Sequence, residues 1–432
     1  MSMALDGVCL AGWASANITP EVPCWMAGYA ARSSPADTVH DPLEVHALAL
    51  GTPTKALIVV VCDLLSVDEC LVDAVRVRVQ TERPGASVWL SATHTHSGPD
   101  IGGPLSEHPP AAAIRESIVA GATQAALGAM AALRPVRATW ASVEVHGVAT
   151  NRDHPEAGED LTLDLLCLVE ADSRQSTPPI AVFGSFPCHP TVLGAGNLDI
   201  SADLSGAFRR QLRAALGQNT WVALATGAGG DISTRHTRRA QDFMELERLG
   251  GVLAERARSL LLAGARPIQI LPLALGNQSV ALELKAPLSG DAVDAAQTSL
   301  TARRAELLRT GQTAEARTVE TMLQGLAGTG RAHAAAEPHL LAPISVARLG
   351  QLDLVALPGE PYHQLGVEIR RDRRGPVLLL GYTNGYIGYI PTREAYASLD
   401  YEILVSPLAA GAGERLRDAA TQLLASSIGG SK

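Results

Sequence analysis

The sequence predicts an α/β fold, a mixed central sheet flanked by helices, in one large domain over residues 1–432. Apolar residues make up 47% of the chain and charged residues 18%, so the chain can bury a large core and is not intrinsically disordered. Short segments rich in Val, Ile and Leu are separated by segments with helical spacing of apolar residues. Strands that alternate with helices are typical of α/β sheet proteins.

Seven apolar segments have the length and composition of strands. They lie at residues 56–67, 87–92, 161–169, 180–186, 222–226, 268–275 and 377–381. Several are continuous rather than alternating, which is typical of strands buried on both faces. Residues 137–145 and 280–284 instead alternate apolar with polar side chains, as antiparallel strands with one exposed face do. We therefore expect a mixed sheet.

Two segments have the spacing of helices that pack on such a sheet. The first covers residues 111–133 and ends before Pro135, and the second covers residues 205–216. Both lie between predicted strands, which is where the helices of an α/β protein connect one strand to the next.

Residues 290–336 differ in composition from the rest of the chain, because they are rich in Ala, Arg, Glu and Gln. Val293, Leu300 and Leu307 recur every seven residues, and the pattern breaks at residues 310–311. The segment therefore predicts a helical hairpin inserted in the domain. We expect the hairpin to pack on the sheet, and a mobile cover over an active site is the alternative.

Charge and hydropathy exclude several classes of protein. The formal net charge is −9 and there is no block of like charges, so we expect no nucleic-acid partner. No apolar run is long enough to cross a membrane, and Asp6 stands where a signal peptide would be basic or apolar. We therefore expect no transmembrane segment and a cytoplasmic location. The six cysteines lack the spacing of a zinc ribbon and are expected to be buried thiols.

A pair of histidines follows the predicted strand at residues 87–92. His94 and His96 are separated by one residue, so in an extended chain both imidazoles point to the same side and could bind one metal ion or one substrate. From such a pair alone, metal binding and a chance occurrence of two histidines on a polar strand edge are about equally open. The Asp-His continuation typical of metallo-β-lactamases is missing, which disfavours that fold.

Further polar groups follow other predicted strands. His189 comes directly after residues 180–186, and Glu360 comes after an apolar run at residues 352–357. Binding groups collect at such strand ends in α/β sheets. Two imidazoles and a carboxylate, with one position open to water, are a common ligand set of catalytic zinc. These residues therefore fit a catalytic zinc site.

A glycine-rich turn at residues 226–233 also follows a predicted strand. Its backbone N–H groups could bind an anion, and Ser233 could donate a hydrogen bond to a substrate. It lacks the Gly-Lys-Ser/Thr ending of a phosphate-binding loop, and the chain has no Gly-x-Ser-x-Gly motif. Nucleotide binding is therefore disfavoured.

Taken in order, these motifs resemble those of the neutral/alkaline, non-lysosomal ceramidases, in a short form with the catalytic domain only. The likeness covers nearly the whole chain, and Thr-His-Thr-His-Ser-Gly-Pro is its most specific part. The matching motifs lie at residues 17–20, 26–29, 40–43, 63–65, 93–99, 151–152, 189–191, 230–233 and 358–360, followed by Tyr389 and, twelve residues later, Tyr401.

The resemblance implies a single α/β catalytic domain that holds one zinc ion and hydrolyses the amide bond of ceramide. By position it implies four zinc ligands: His94, His189, Glu360 and Tyr389. It implies that His96, Arg152 and Tyr401 are catalytic groups. Ser233 corresponds to a serine that is either a nucleophile or a contact to a substrate hydroxyl.

One departure from the family pattern concerns the substrate. The family motif continues from the serine with Pro-Asn, whereas this chain has Thr234 and Arg235. A buried guanidinium needs an acceptor, so we expect Arg235 to pair either with an internal carboxylate such as Asp231 or with an acceptor on the substrate.

Three functional hypotheses are open at this point. The first is a zinc amidohydrolase, acting on ceramide or another N-acyl lipid, or on a small polar amide, lactam or ester. The second is an amidohydrolase-type barrel, which the positions of the three lysines disfavour. The third is a non-catalytic binding protein, which has no need of the proton donors that the motifs supply.

Overall fold

The computed structural model describes residues 8–102, 108, 112–172, 178–286, 288–332, 339–371 and 373–426. This part of the chain contains nineteen strands: β1 (Val8–Asn17), β2 (Thr38–Val39), β3 (Glu44–Thr52), β4 (Lys55–Cys62), β5 (Ala86–Ala92), β6 (Arg134–Glu144), β7 (Thr150–Asn151), β8 (Thr162–Glu170), β9 (Ala181–Phe186), β10 (Asp199–Ile200), β11 (Trp221–Thr226), β12 (Ile232–Ser233), β13 (Arg266–Ile268), β14 (Leu273–Glu283), β15 (His339–Leu349), β16 (Leu352–Ala356), β17 (Glu360–Pro361), β18 (Val377–Leu380) and β19 (Tyr389–Ile390).

The same described residues form nine α-helices and two short 3₁₀ helices. The α-helices are α1 (Glu69–Glu82), α2 (Ala112–Ala131), α3 (Asp203–Leu216), α4 (Phe243–Gly264), α5 (Gly290–Arg309), α6 (Thr313–Ala332), α7 (His363–Arg371), α8 (Tyr401–Val405) and α9 (Ala412–Ser426). The 3₁₀ helices are Pro155–Ala157 and Glu394–Ala397. None of the described helices combines the length and the apolarity needed to cross a bilayer.

The larger sheet is mixed, as predicted. Its strand order is β11-β9-β8-β6-β1-β3-β4-β5, and β13 pairs with β6. The pairs β4–β5 and β9–β11 are parallel, whereas the central pairs are antiparallel. The alternating segment at residues 137–145 lies in β6, which is antiparallel to both β1 and β8. The mixed α/β fold class is therefore confirmed.

A second, four-stranded sheet was not predicted. Its order is β14-β15-β16-β18, with β16 and β18 parallel and the other pairs antiparallel. The two sheets pack face to face, because Leu57 and Val59 of β4 share one buried cluster with Leu354 of β16 and Leu380 of β18. Because this sheet is buried, the sequences of its central strands are nearly continuous apolar runs.

Helices cover the two outer faces. Helices α1 and α2 pack on the half of the large sheet that contains β3 and β4, and α3 and α4 pack on the half that contains β9 and β11. Helices α7 and α9 cover the small sheet. The result is four layers, helix–sheet–sheet–helix, in which Ile58 and Val60 face the helices while Leu57 and Val59 face the second sheet.

The predicted helical hairpin is present as α5 and α6, with its turn at residues 310–312. The predicted end of the hairpin, at residues 333–336, lies outside the described residues. Its apolar side packs on α8, where Leu404 joins Leu300 and Leu326 in a small buried cluster. The hairpin therefore rests on the short helix α8 rather than on the large sheet.

Two of the predicted strands are longer than the strands in the structure. The segment at residues 268–275 is two strands, because β13 ends at Ile268 and β14 begins at Leu273 in the other sheet. Pro272 lies between them and has no N–H for a strand ladder. The segment at residues 56–67 ends as a strand at Cys62, where the carboxylate of Asp63 accepts the backbone N–H of Glu44 at 2.9 Å.

Candidate active site

The candidate site lies where the carboxyl ends of three parallel strand pairs meet: β4–β5, β9–β11 and β16–β18. Side chains at these ends tie the pairs together. Thr226 donates its hydroxyl to the carbonyl of Thr93 at 2.8 Å, and Ser185 donates to the carbonyl of Leu379 at 2.6 Å. Because parallel strands gather binding groups at this end, the loops that follow them are brought to one place.

Three histidines converge in these loops, and each is held by a backbone carbonyl in the same way. Each Nδ1–H donates to a backbone carbonyl: His94 to Leu65 (2.7 Å), His96 to Gly28 (2.9 Å) and His189 to Gly229 (2.6 Å). Since a carbonyl oxygen only accepts, the proton is on Nδ1 and the Nε2 lone pair is free. One ring nitrogen from each histidine lies within 4.8 Å of the others. Orientation through the second ring nitrogen is typical of metal-ligating histidines.

Glu360 completes this cluster. Its Oε2 lies 2.8 Å from Nε2 of His189 and 3.4 Å from Nε2 of His94. Because Nδ1 of His189 already holds the ring proton, the His189 Nε2 lone pair and the carboxylate oxygen face each other as two acceptors. A cation between them removes this repulsion. The buried nitrogen and oxygen donors therefore fit a divalent metal ion, and histidine with carboxylate is a ligand set that suits zinc.

Two tyrosines hold the carboxylate of Glu360 in place. Tyr386 donates its hydroxyl to Oε1, and Tyr382 donates to Oε2 at 3.4 Å. The ring of Tyr382 also stacks on His94, with centroids 4.2 Å apart. The sequence analysis assigned no role to either tyrosine.

Backbone strain is concentrated around this centre. His94, Tyr382 and Asn384 have φ angles of 65°, 53° and 63°, in the left-handed region that non-glycine residues seldom adopt. Asn384 anchors its loop to β5, because it exchanges hydrogen bonds with the backbone of Leu90 at 2.7 and 3.0 Å. Such strain clusters at functional sites, where the surrounding structure fixes it.

Burial and charge set the protonation states. Burial and the nearby Arg152 lower the pKa of His189 to about 4, and burial with its two histidine neighbours holds the pKa of His96 well below its usual range. Neutral imidazoles beside an ionised carboxylate are the forms that bind a metal.

Arg152 lies beside the centre and forms an ion pair with Glu402. Its Nε is 2.5 Å from Oε1 of Glu402, and its Nη2 donates to the carbonyl of Gly230 at 2.6 Å. Burial would lower the pKa of Arg152, but Glu402, Tyr389 and Asp153 outweigh that effect and raise the pKa well above its usual value. Arg152 is therefore a fixed positive charge. Glu402 is a site residue that no motif in the sequence pointed to.

Tyr389 and Tyr401 lie between the histidine–carboxylate cluster and Arg152. The ring of Tyr389 stacks on His189 with centroids 6.1 Å apart, and the Arg152 guanidinium lies 5.2 Å from its centroid. The ring of Tyr401 meets that of Tyr389 edge-on at 6.0 Å. All eight residues implied by the resemblance, except Ser233, are thus linked by these ring, ion-pair and hydrogen-bond contacts.

Ser233 lies in β12, beside His189. The backbone N–H of His189 donates to the carbonyl of Ile232 at 2.9 Å, and the Ser233 hydroxyl accepts the backbone N–H of Arg235 at 3.2 Å. Ser233 is 3% exposed. It is close to the cluster, but the hydrogen bond between its hydroxyl and Arg235 stabilises its own loop.

Arg235 does lie against an internal carboxylate, one of the two alternatives expected, but that carboxylate is Asp153 and not Asp231. Nη1 of Arg235 lies 3.6 Å from Oδ1 of Asp153. Asp231 is turned inward, where its carboxylate accepts from the backbone N–H of His363 at 2.7 Å and from the side chain of Asn151 at 3.0 Å. The Asp231 carboxylate therefore has a structural role.

Two known proteins similar in sequence to this chain are neutral ceramidases. No protein-family model matches the chain. The neutral ceramidase of Pseudomonas aeruginosa is 24% identical over 90% of this chain and 68% of its own length. The neutral ceramidase of Mycobacterium tuberculosis is 38% identical over 69 residues, which are 14% of this chain and 11% of that protein.

Solved structures give the same result for the fold. The crystal structure of the Pseudomonas aeruginosa neutral ceramidase matches with a TM-score of 0.76 and 20% identity, over 97% of this chain and 74% of that one. A ceramidase complexed with C2 matches with a TM-score of 0.75 and 19% identity, over 97% and 75%.

The fold and the site together define an α/β protein with a histidine–carboxylate centre at the ends of its parallel strands. In sequence and fold, the chain is similar to the neutral ceramidase of Pseudomonas aeruginosa.

Proposed function

We propose that this protein is a zinc-dependent hydrolase that cleaves the amide bond of an N-acyl compound of the ceramide type. The observation that carries the proposal is the convergence of three imidazole nitrogens and one carboxylate oxygen, each imidazole fixed through its Nδ1. Similarity to neutral ceramidase over 90% of the chain supports the amide as the bond that is cleaved.

His94, His189 and Glu360 would hold the zinc ion, with Tyr389 as the fourth ligand implied by the family pattern. A bound zinc ion supplies Lewis acidity, which polarises a carbonyl and makes water nucleophilic near neutral pH. Glu360 brings the negative charge of the ligand set, and Tyr382 and Tyr386 fix its orientation.

His96 is the proposed proton carrier. Its Nδ1–H is held by Gly28, and Nε2 lies 3.3 Å from Nε2 of His94, so its lone pair faces the centre. Gly28 has a φ of 103°, and a Cβ there would lie 2.5 Å from the His96 ring, so glycine is required for this approach. His96 would accept a proton from the attacking water and return it to the leaving nitrogen.

Arg152 is proposed to stabilise the negative charge that develops on the acyl oxygen. It is held by Glu402 and Gly230 before substrate arrives, and preorganised donors of this kind contribute most to such stabilisation. Tyr401 lies on the same side through its contact with Tyr389. Overall, water adds to the acyl carbon, the C–N bond breaks, and the products are a carboxylate and an amine.

The test is product analysis on zinc-loaded protein. We expect an N-acylsphingosine to yield fatty acid and sphingosine in equal amounts, measured by mass spectrometry. His96→Ala should lose the activity, whereas the matched control His146→Ala, at an exposed histidine, should keep it. No cleavage of any N-acyl substrate by zinc-loaded wild type would contradict the proposal.

A further inference from the structure

Arg32 is a buried cation whose hydrogen bonds go to backbone carbonyls. It is 6% exposed, and its Nη2 donates to the carbonyl of His96 at 3.0 Å while its Nη1 donates to the carbonyl of Ala27 at 3.2 Å. Among the residues that the structure describes, no carboxylate lies within 4.0 Å of its guanidinium, and its Nε has no hydrogen-bond acceptor. Burying a charge without a counter-ion costs stability, so stability alone does not explain an arginine at this position.

The two carbonyls belong to the two loops that fix the imidazole of His96. The Nδ1–H of His96 donates to the carbonyl of Gly28 at 2.9 Å, and Gly28 directly follows Ala27. Ala27 in turn donates its backbone N–H to the carbonyl of Gly98 at 3.1 Å. Arg32 therefore links the backbone of His96 to the loop that carries the acceptor of the His96 ring.

Tyr29 contacts both Arg32 and His96. Its ring centroid lies 4.8 Å from that of His96, and the Arg32 guanidinium lies 5.2 Å from the same ring centroid, which is a cation–π distance. The backbone N–H of Arg32 donates to the carbonyl of Tyr29 at 3.0 Å, and the Tyr29 hydroxyl donates to the carbonyl of Leu193 at 2.7 Å. Arg32 thus supports the ring that packs on His96 as well as the loop that binds it.

The position of Gly28 decides which nitrogen of His96 carries the ring proton. While the Gly28 carbonyl accepts from Nδ1–H, the lone pair is on Nε2, which lies 3.3 Å from Nε2 of His94. Without that carbonyl no contact would favour this tautomer. A proton on Nε2 would then leave no lone pair there to accept another proton.

We propose that Arg32 is a positioning residue for the reaction. It holds the Gly28 carbonyl against Nδ1 of His96, and so it keeps the ring proton on Nδ1 and the Nε2 lone pair facing the centre. This inference rests on the proposed function, in which His96 carries the proton. Arg32 acts only through Gly28 and Tyr29 and does not touch the reacting atoms.

The test is nitrogen NMR of the histidine rings in zinc-loaded, isotopically labelled protein, which does not depend on turnover. In wild type we expect His96 to be protonated at Nδ1 only, with its resonances assigned by their loss in His96→Ala. In Arg32→Gln we expect a mixture of the two tautomers. We expect kcat for an N-acyl substrate to fall by roughly 10–100-fold at unchanged KM, less than in His96→Ala, because the proton carrier is displaced and not removed.

Two further variants separate this effect from a general loss of structure. Arg32→Lys keeps the charge but not the planar fork that reaches two carbonyls, so its kcat and its Nδ1–H population should lie between those of wild type and Arg32→Gln. The matched control is Arg76→Gln, because Nε of Arg76 also donates to a backbone carbonyl, that of Val88, at 3.1 Å. This control should keep the wild-type tautomer and kcat. Zinc analysis and thermal melting check that each variant is loaded and folded.

An unchanged His96 tautomer in folded Arg32→Gln would overturn the inference, and so would an unchanged kcat. If Arg32→Gln does not fold, Arg32→Lys decides, and wild-type values of both the tautomer and kcat in that variant would overturn the inference. Failure of the proposed function gives a different result, because wild type would cleave no amide while the dependence of the His96 tautomer on Arg32 would persist.

Discussion

The two sides of the candidate site are built in different ways. One side, with His94, His189 and Glu360, follows the ends of strands, and its imidazoles are fixed by backbone carbonyls. The other side, with Tyr401 and Glu402, lies on the five-residue helix α8. A short helix cannot be fixed by the hydrogen-bond ladder of a sheet. The position of α8 therefore depends on side chains from distant parts of the chain.

Besides the Arg152–Glu402 ion pair, Lys285 and the helical hairpin hold α8 in place. Nζ of Lys285 donates to the carbonyls of Ile403 at 2.5 Å and Leu404 at 2.8 Å, at the C-terminal end of the helix. The hairpin α5–α6 packs against its other side, where a Cβ on Gly325 would lie 3.0 Å from the Tyr401 ring. From this difference we expect that substitutions of the proposed metal ligands lower the zinc content. Substitutions around α8 should instead lower the turnover rate and leave the zinc content unchanged.

The largest effect is expected for Glu360→Gln. This change removes the charge of the ligand set but keeps a side chain that Tyr386 can still contact. Because Lewis-acid stabilisation is worth several kcal/mol, activity should fall by at least about 10³-fold, together with zinc content. Paired turnover and metal analyses check this, and full zinc occupancy with normal turnover would contradict it.

His96→Ala should be the next largest effect. We expect zinc to be retained and the rate to fall by roughly 10²–10⁴-fold, the usual contribution of a general acid or base. Loss of zinc together with activity would make His96 a ligand, which its nearness to His94 at 3.3 Å allows.

Arg152→Lys tests the side of the site that contacts α8. The charge stays, but the two-sided contact of the guanidinium with Glu402 and Gly230 is broken. Single-turnover rates should fall by about 10²-fold, as for the loss of one oxyanion donor, with zinc and thermal stability close to wild type. An unchanged rate would contradict the proposed role of Arg152 in stabilising the charge on the acyl oxygen.

Lys285→Met should have the smallest effect. It removes the two hydrogen bonds that cap α8, so Tyr401 and Glu402 lose part of their support. We expect kcat to fall by about 10-fold, the equivalent of one net hydrogen bond, with zinc content unchanged. Lys285→Arg should restore most of it, and a parallel loss of zinc in Lys285→Met would show that the two sides are not separable.

The comparison also explains what the sequence could predict. The strand ends were predictable because each apolar run is followed at once by its histidine or glutamate, so local pattern and site coincide at His94, His189 and Glu360. The hairpin was predictable from its period, and its turn lies where the pattern breaks.

The remaining features depend on partners far apart in sequence. Glu402 pairs with Arg152, and Lys285 with α8, over more than a hundred residues, and no local motif encodes such contacts. The second sheet was missed because strand patterns do not specify which sheet a strand joins. Asp231 was named as an example of an internal carboxylate for Arg235, whereas its carboxylate accepts the backbone N–H of His363, 132 residues further along the chain.

The metal centre is tested most directly by the zinc content of the wild type and of the His94→Ala, His189→Ala double variant. Both are dialysed against zinc, desalted and measured by elemental mass spectrometry, with circular dichroism to check folding. We predict about one zinc ion per wild-type chain and none in the folded variant, as expected for a site with few protein ligands. Full zinc occupancy in the folded variant would contradict the proposed metal site.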